Sequence, residues 1–167
     1  GRTIVVVQSD VDGDYIVTIR DVNYTVTVNG GTGIKFIPNL SVENQIVVTV
    51  ERDDNYAAFN ETTYNINPKM GNVSVSVDDI TYGESAFVNI VAEIDGMYTL
   101  SVNNTEYPIK VIDGEASQLI SGLAAGNYIV KIAIVDGNYS AFNQTQLNVL
   151  PRPISLVVSV KDIIYTT

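Results

Sequence analysis

The chain has 167 residues, 46% of them hydrophobic and 17% charged, a composition that supports a packed core and argues against global disorder. Its net charge of −10, with nine lysines and arginines spread thinly, argues against nucleic acid as a partner. The absence of cysteine and histidine excludes disulfides, thiolate and imidazole ligands and the commonest general base. No run of about 18 apolar residues occurs, so we expect no membrane insertion within this fragment, with any signal or anchor outside it.

The sequence repeats itself without gaps at a spacing of 83 residues. Of the 84 pairs that this shift aligns, 27 are identical, far more than unrelated segments would share. The longest similar block pairs residues 53–60 with 136–143, and the prolines at Pro68 and Pro151 also coincide. The same unit is therefore present twice, and proline at the junctions is expected to stiffen the connections.

The repeat also shows at which point of the unit the chain begins. The segment that opens the second unit, 73–82, has a counterpart at 156–165 and none before Gly1. This phase predicts a repeat at 1–70 that lacks its first strand, and a complete repeat at 71–153.

The remaining segment, 154–167, is then the first strand of a following repeat, so the parent protein is expected to contain more units. An alternative division completes each unit with the strand that follows it and gives frames 1–83 and 84–167. The first division leaves a vacant sheet edge in the first repeat and an apolar strand at the C-terminal end. It therefore predicts strand exchange between chains through 154–167.

Alternation of apolar and polar residues predicts seven short strands in the second unit. They are expected at 73–78, 86–93, 97–102, 105–111, 115–120, 127–135 and 141–149. Asp-Gly pairs between strands predict type I′ hairpins, in which both central residues need a positive φ. About 80 residues per unit with this pattern and no helical periodicity indicate an all-β fold of two tandem Greek-key sandwiches. The residues expected in the core are Val75, Val88, Ile90, Tyr98, Leu100, Val102, Leu123, Tyr128 and Phe142.

Several of these segments resemble bacterial immunoglobulin-like (Ig-like) repeats. One such segment opens the second unit at 75–84 and reads Val-Ser-Val-Asp-Asp-Ile-Thr-Tyr-Gly-Glu. Another is the run Gly-Leu-Ala-Ala-Gly-Asn-Tyr at 122–128, with the turn Asp-Gly-Asn-Tyr at 136–139. The content of Asn, Asp and Tyr is similar to that of adhesin-like surface proteins of methanogenic archaea. The resemblance implies extracellular display at the cell surface, as spacers and sometimes as binding modules. Arg52 and Val135 depart from the family, which often has glycine there.

Seven Asn-x-Ser/Thr sequons occur, which is more than the composition predicts. They begin at Asn23, Asn39, Asn60, Asn72, Asn103, Asn138 and Asn143. One interpretation is N-glycosylation of an exposed glycoprotein. The alternative is that asparagine, serine and threonine simply crowd the turns and the outward strand faces.

Two acidic turns are candidate sites for chemistry. Asp10, Asp12 and Asp14 alternate around a turn, and hard oxygen ligands in a flexible loop suit Ca²⁺. Ca²⁺ needs six to eight oxygens, however, and Met97 replaces Asp14 in the second unit. We therefore expect a solvated turn and no bound cofactor, with the three aspartates as weak calcium candidates.

The second acidic turn consists of residues 53–55 and recurs at 136–138. It is expected to form a side-chain-to-backbone hydrogen bond, with Tyr56 and Tyr139 packed over it like a tyrosine corner.

These features predict a protein that is not an enzyme, because only carboxylates could act and none lies in a pattern that indicates a cleft. The leading hypothesis is a spacer or stalk of a cell-surface adhesin. The alternative is an adhesion module that recognises a glycan or a surface protein of a partner cell. Phe36, Tyr64 and Met97 are the candidates for such unit-specific binding, because these residues do not recur at the equivalent positions of the other unit.

Overall fold

In the computed structural model, which describes residues 2–166, the chain forms β-strands and turns, with no helix among the described residues. Up to Met70 the strands are β1 (Arg2–Gln8), β2 (Gly13–Ile19), β3 (Val22–Val28), β4 (Thr32–Pro38), β5 (Glu43–Asp53), β6 (Ala57–Ile66) and β7 (Lys69–Met70). The others are β8 (Val73–Ser76), β9 (Ile80–Thr81), β10 (Ala86–Ala92), β11 (Gly96–Val102), β12 (Thr105–Val111), β13 (Glu115–Ile120), β14 (Gly126–Ile134), β15 (Tyr139–Ser140) and β16 (Phe142–Leu150).

The chain divides into two compact units between Met70 and Gly71, except that residues 137–140 group with the first unit. Within the second unit, β8, β10 and β13 form one sheet in the order β13-β10-β8. The facing sheet has the order β12-β11-β14-β16-β9, with β9 parallel to the end of β16. A first strand that pairs in one sheet and continues into the other, around a Greek key, is the Ig-like arrangement. The predicted all-β, Ig-like fold class is confirmed.

The first unit contains the same sandwich with fewer strands. One sheet consists of β1 and β4, and the other has the order β3-β2-β5-β6. The short strands β7 and β15 pair in parallel. Within residues 2–70, no strand corresponds to β8 or β9 of the second unit. The division of the parent chain into domains stays a prediction, but the strand at 73–76 lies in the sheet of the second unit, and residues 151–166 belong to no strand.

Each unit has its own hydrophobic core. Val, Ile and Tyr side chains of alternating strand positions fill both cores, as the period of two requires. The predicted core residues of the second unit are buried, apart from Tyr128, which is half-buried, and Phe142. Phe142 is 60% exposed, so its predicted burial is wrong. Its neighbour Ala141 points inward instead, and one step along a strand reverses the face.

The Asp-Gly pair at Asp113-Gly114 has the two positive φ angles that a type I′ turn needs, as predicted, and the turn at Asn103-Asn104 has them as well. Asp95, which precedes Gly96, does not have a positive φ, so the predicted type I′ turn at this Asp-Gly pair is wrong. The carboxylate of Asp95 serves a different turn, as described below.

Strand β5 departs from the 83-residue equivalence by one residue. Val17 lies opposite Val50 rather than Thr49. Its counterpart Leu100 lies opposite Ile132, the residue that aligns with Thr49. A bulge at the start of β5 takes up the extra residue. The shift turns isoleucine and valine toward the core in place of threonine, so burial of the apolar face decides the register.

Candidate functional site

The three aspartates of the first acidic turn have separate tasks. The carboxylate of Asp12 accepts hydrogen bonds from the backbone N–H groups of Gly30 and Gly31, at 2.9 and 3.0 Å. Asp14 accepts a hydrogen bond from the Thr27 hydroxyl, and Asp10 is exposed. Within residues 2–166, no group of three or more acidic residues could hold a metal ion. The calcium site stays a weak prediction, because Asp12 already uses both carboxylate oxygens to fix the turn between β3 and β4.

The second unit repeats this arrangement. The carboxylate of Asp95 accepts hydrogen bonds from the backbone N–H groups of Asp113 and Gly114, at 2.9 and 2.8 Å. These are the counterparts, 83 residues later, of the two bonds that Asp12 accepts. An interaction that recurs in both units at equivalent positions supports the hairpin of each sandwich, since it satisfies two turn N–H groups.

The bonds to Asp12 also predict how the first unit responds to acid. The N–H groups of Gly30 and Gly31 hold the pKa of the Asp12 carboxyl below its ordinary value of 3.8, because they stabilise the charged form. The stabilisation is therefore present above pH 3.8 and is lost as the pH falls through the lower pKa of the folded state. We expect Asp12→Asn to weaken the acid dependence of the first unit, measured by unfolding between pH 2 and 5 with NMR signals of β3 and β4.

Asp10→Asn is the matched control for this experiment, because the Asp10 carboxylate lies in the same turn and is exposed. The variant at Asp10 should retain the acid dependence of the wild type. An equal effect of the two substitutions would contradict the role of the Gly30 and Gly31 bonds.

At the second acidic turn, the predicted side-chain-to-backbone hydrogen bond is present. The Asp54 carboxylate accepts the N–H of Tyr56 at 2.8 Å and binds Nε of Arg52 at 3.0 Å. The Arg52 guanidinium lies over the rings of Tyr15 and Tyr56, 5.2 and 5.0 Å from their centres. The hydrogen bond from the Tyr56 N–H, and to a smaller extent the one from Arg52, hold the pKa of the Asp54 carboxyl below its ordinary value. Because of the shift in β5, Ile134 occupies the place of Arg52 in the second unit, so this cluster belongs to the first unit alone.

The tyrosine corners are at other residues than predicted. Tyr56 is 52% exposed, so the prediction of a packed ring is wrong there. The hydroxyl groups of Tyr15, Tyr98 and Tyr128 instead donate to the carbonyl four residues upstream, at 2.7 to 2.8 Å. Burial raises the pKa of the Tyr98 hydroxyl above its ordinary value of 10, with a smaller contribution from nearby carboxylates.

All seven sequon asparagines are exposed, but their side chains differ in how they are engaged. Nδ2 of Asn143 donates to the carbonyl of Val73 at 2.8 Å and fastens β16 to β8. Oδ1 of Asn138 accepts the N–H of Val42. Asn39 and Asn103 both have a positive φ and lie between strands. N-glycosylation stays a prediction.

An exposed apolar surface lies on the outer face of β1 and β4. Ile4 lies opposite Phe36 and Val6 lies opposite Ile34, and all four side chains are about half exposed. The Arg2 guanidinium lies 4.7 Å from the centre of the Phe36 ring. Of the three unit-specific candidates, only Phe36 belongs to this surface. Met97 is on β11, and the ring of Tyr64 packs against the core.

A groove borders the free edge of β1. It has a volume of about 510 Å³ and lies between β1, β2, β5 and the start of β6. A smaller opening of about 250 Å³ lies between the start of β1 and the end of β6. Among residues 2–166, no Asp, Glu, Lys, Arg, Asn, Gln, Ser or Thr residue is buried.

No protein-family model and no curated protein matches the chain. Among solved structures, it is similar to the PKD domain (329–428) of human KIAA0319, with a TM-score of 0.39 and 14% identity over 56% of this chain and 93% of that one. It is also similar to the fibronectin(III)-like modules of Clostridium thermocellum CbhA, with a TM-score of 0.41 and 9% identity over 96% of this chain and 91% of that one. The Ig-like assignment rests on the strand topology. In the described part of the chain, no helix has the length and apolarity needed to span a membrane.

Proposed function

We propose that the chain is a non-catalytic spacer segment of an extracellular cell-surface adhesin. The observation that carries the proposal is the same Ig-like sandwich twice, each copy with its own core. Units of this kind add length in nearly equal steps, and each contributes its own stability. The resemblance of 75–84 and 122–128 to repeats of adhesin-like proteins supports the cell-surface location and the archaeal source.

A spacer of an adhesin has to resist force, and stretching single molecules tests this. We expect two separate unfolding events, each releasing about 20–30 nm of chain, since 70–80 extended residues span about 3.3–3.6 Å each. Leu100→Asp is the control, because Leu100 is fully buried in the second unit and its replacement should remove one event only. A single event for the whole chain, or extension without resistance, would contradict the spacer role.

The second candidate is an adhesion module that binds a glycan or a surface protein of a partner cell. The exposed face of Ile4, Val6, Ile34 and Phe36 favours it, because contiguous apolar surface marks binding sites. A glycan array and a pull-down from intact cells test it with the variant Ile34→Ser/Phe36→Ser.

The matched control variant for the pull-down is Phe87→Ser/Leu119→Ser. These residues form a cross-strand pair on the corresponding face of the second unit and are 54% and 55% exposed. Binding that is lost only in the first-unit variant would support the second candidate. Equal loss in both variants, or no binding by the wild type, would count against it.

Glycosylation gives a prediction for the protein isolated from its source. We expect glycans at Asn39 and Asn103, which lie exposed between strands, and little or none at Asn143. The Asn143 nitrogen already donates to Val73 beside β8, so folding limits access to it. Mass spectrometry of proteolytic peptides measures the occupancy of each sequon. Higher occupancy at Asn143 than at the other two would contradict this prediction.

A further inference from the structure

Among the described residues, the first unit has a free sheet edge on the side of β1. Among the described strands, β1 pairs only with β4, and the groove of about 510 Å³ lies along its other edge. The second opening, of about 250 Å³, is lined by residues that include Leu40 and Tyr64. The hydroxyl of Tyr64 is buried there without a hydrogen-bond partner. Unpaired backbone groups along β1 and an unsatisfied hydroxyl are both features that an added strand would correct.

The second unit shows which segment fills these places. Strand β8 lies antiparallel to β10, with Val73 and Val75 buried against the facing sheet. Nδ2 of Asn143 donates to the carbonyl of Val73. The chain then crosses to β16, where β9 pairs in parallel and the Asp79 carboxylate accepts the N–H of Asn148. A segment of ten residues, 73–82, thus closes the whole side of the sandwich.

The effect of that segment is visible in the burial of equivalent residues. Ala86, Val88, Ala92 and Ala141 of the second unit are all buried. Their counterparts in the first unit, Thr3, Val5, Ser9 and Ala58, are half-buried or exposed. The inward face of β1 is therefore open to solvent at positions where the inward face of β10 is covered.

The chain carries a second copy of the closing segment at 156–165. It reads Leu-Val-Val-Ser-Val-Lys-Asp-Ile-Ile-Tyr, against Val-Ser-Val-Ser-Val-Asp-Asp-Ile-Thr-Tyr at 73–82. These residues form no strand, and their side chains are exposed, Leu156 by 86% and Val158 by 89%. The second unit is already closed by β8, so this segment has no place of its own there.

We propose that residues 156–165 of one copy of this chain insert into the groove of the first unit of a second copy, antiparallel to β1. The pairing of β8 with β10 sets the register: Val158 lies opposite Val7, and Leu156 lies opposite Ser9. Leu156 and Val158 then point into the groove, as Val73 and Val75 do in the second unit. Asn60, the counterpart of Asn143, lines the groove and is placed to donate to the carbonyl of Leu156.

This contact joins unlike surfaces, the C-terminal segment of one copy and the N-terminal unit of the next. Such a head-to-tail interface builds rings or open chains rather than a closed symmetric dimer. The average mass in solution should therefore rise with protein concentration above that of one chain, 18.1 kDa.

Sedimentation velocity on the full chain tests the proposal with two matched variants. Leu156→Asp/Val158→Asp places two charges on the inward face of the segment and should leave only the 18.1-kDa species. Val157→Asp/Ser159→Asp places the same charges on the outward face and should assemble like the wild type. A wild type that stays monomeric up to a protein concentration of about 1 mM would overturn the proposal, because a dissociation constant above that value is too weak for a specific contact. So would equal dissociation in both variants.

Hydrogen exchange locates the contact. The monomeric variant Leu156→Asp/Val158→Asp keeps an intact groove, so a synthetic peptide of residues 154–167 should bind it in a 1:1 ratio. We expect exchange in β1 to slow at least tenfold on binding, whereas β10 stays unchanged because β8 already covers its edge. Peptide binding without protection of β1, or no binding at all, contradicts the proposal. The spacer role does not depend on either result.

Discussion

Tyr98→Ala should lower the free energy of unfolding of the second unit by about 3–5 kcal/mol, the usual cost of removing a buried aromatic ring. Tyr98 is fully buried, and its hydroxyl donates to the carbonyl of Ile94 at 2.7 Å. The substitution therefore leaves a cavity in the core and also removes the hydrogen bond that holds the loop before β11. Urea unfolding followed by hydrogen exchange and mass spectrometry measures the loss for each unit separately.

Tyr56→Ala is the control in the first unit, because the Tyr56 ring is 52% exposed. Surface substitutions usually change stability by about 0.5 kcal/mol or less, and the contact with Arg52 adds little to this. A loss at Tyr56 as large as that at Tyr98 would show that the acidic turn, and not the corner, holds the sandwich. The first unit should be unaffected by Tyr98→Ala, since the two cores share no residue.

The strands could be predicted from the sequence because alternation is a local signal. Each predicted strand of the second unit lies within two residues of an observed one, and the short strands β9 and β15 were not predicted. The wrong prediction for Phe142 also comes from relying on alternation alone. Where adjacent residues of a strand are both apolar, alternation does not show which of the two faces the core. Ala141 and Phe142 are both apolar, and only the facing sheet decides between them.

The tyrosines show that recurrence at equivalent positions does not by itself predict burial. Tyr15/98 and Tyr56/139 both recur at equivalent positions, yet only Tyr15 and Tyr98 are buried. A hydroxyl bonded to the carbonyl four residues upstream needs a loop that folds back over the ring, which is a property of the tertiary structure. The one-residue shift in β5 has the same kind of cause, because the gap-free alignment contains no sign of a bulge.

The candidate groove was predicted in part. The phase of the repeat predicted a vacant sheet edge in the first unit, and the alignment identified 156–165 as the counterpart of 73–82. The hydrogen bond that asparagine makes to the closing segment could not be predicted, because the sequence indicates only that Asn60 and Asn143 begin sequons. The hydrogen bond from Asn143 to Val73 joins residues 70 positions apart, so its role becomes visible only in the folded structure, where it links β16 to β8.

The two units should therefore differ in stability even though they share a fold. Among the described residues, eighteen buried side chains form the core of the second unit and nine form that of the first. Each fully buried valine or isoleucine contributes about 1.5–3 kcal/mol, partly offset by the cost of ordering extra strands. We expect the first unit to be less stable by about 3 kcal/mol or more. With a urea dependence near 1–1.5 kcal/mol/M for a small domain, its midpoint should lie about 2–3 M lower.

If the segment 73–82 causes this difference, weakening β8 should make the second unit resemble the first. Val75→Asp places a charge on its buried face and should move the urea midpoint of the second unit toward that of the first. Ser74→Asp places the same charge one residue away on the exposed face and should leave the midpoint nearly unchanged. Hydrogen exchange during urea unfolding, with separate peptides from β2 and β11, measures both midpoints in one sample. Coincident midpoints in the wild-type chain would show that the strand segment 73–82 does not account for the stability of a unit.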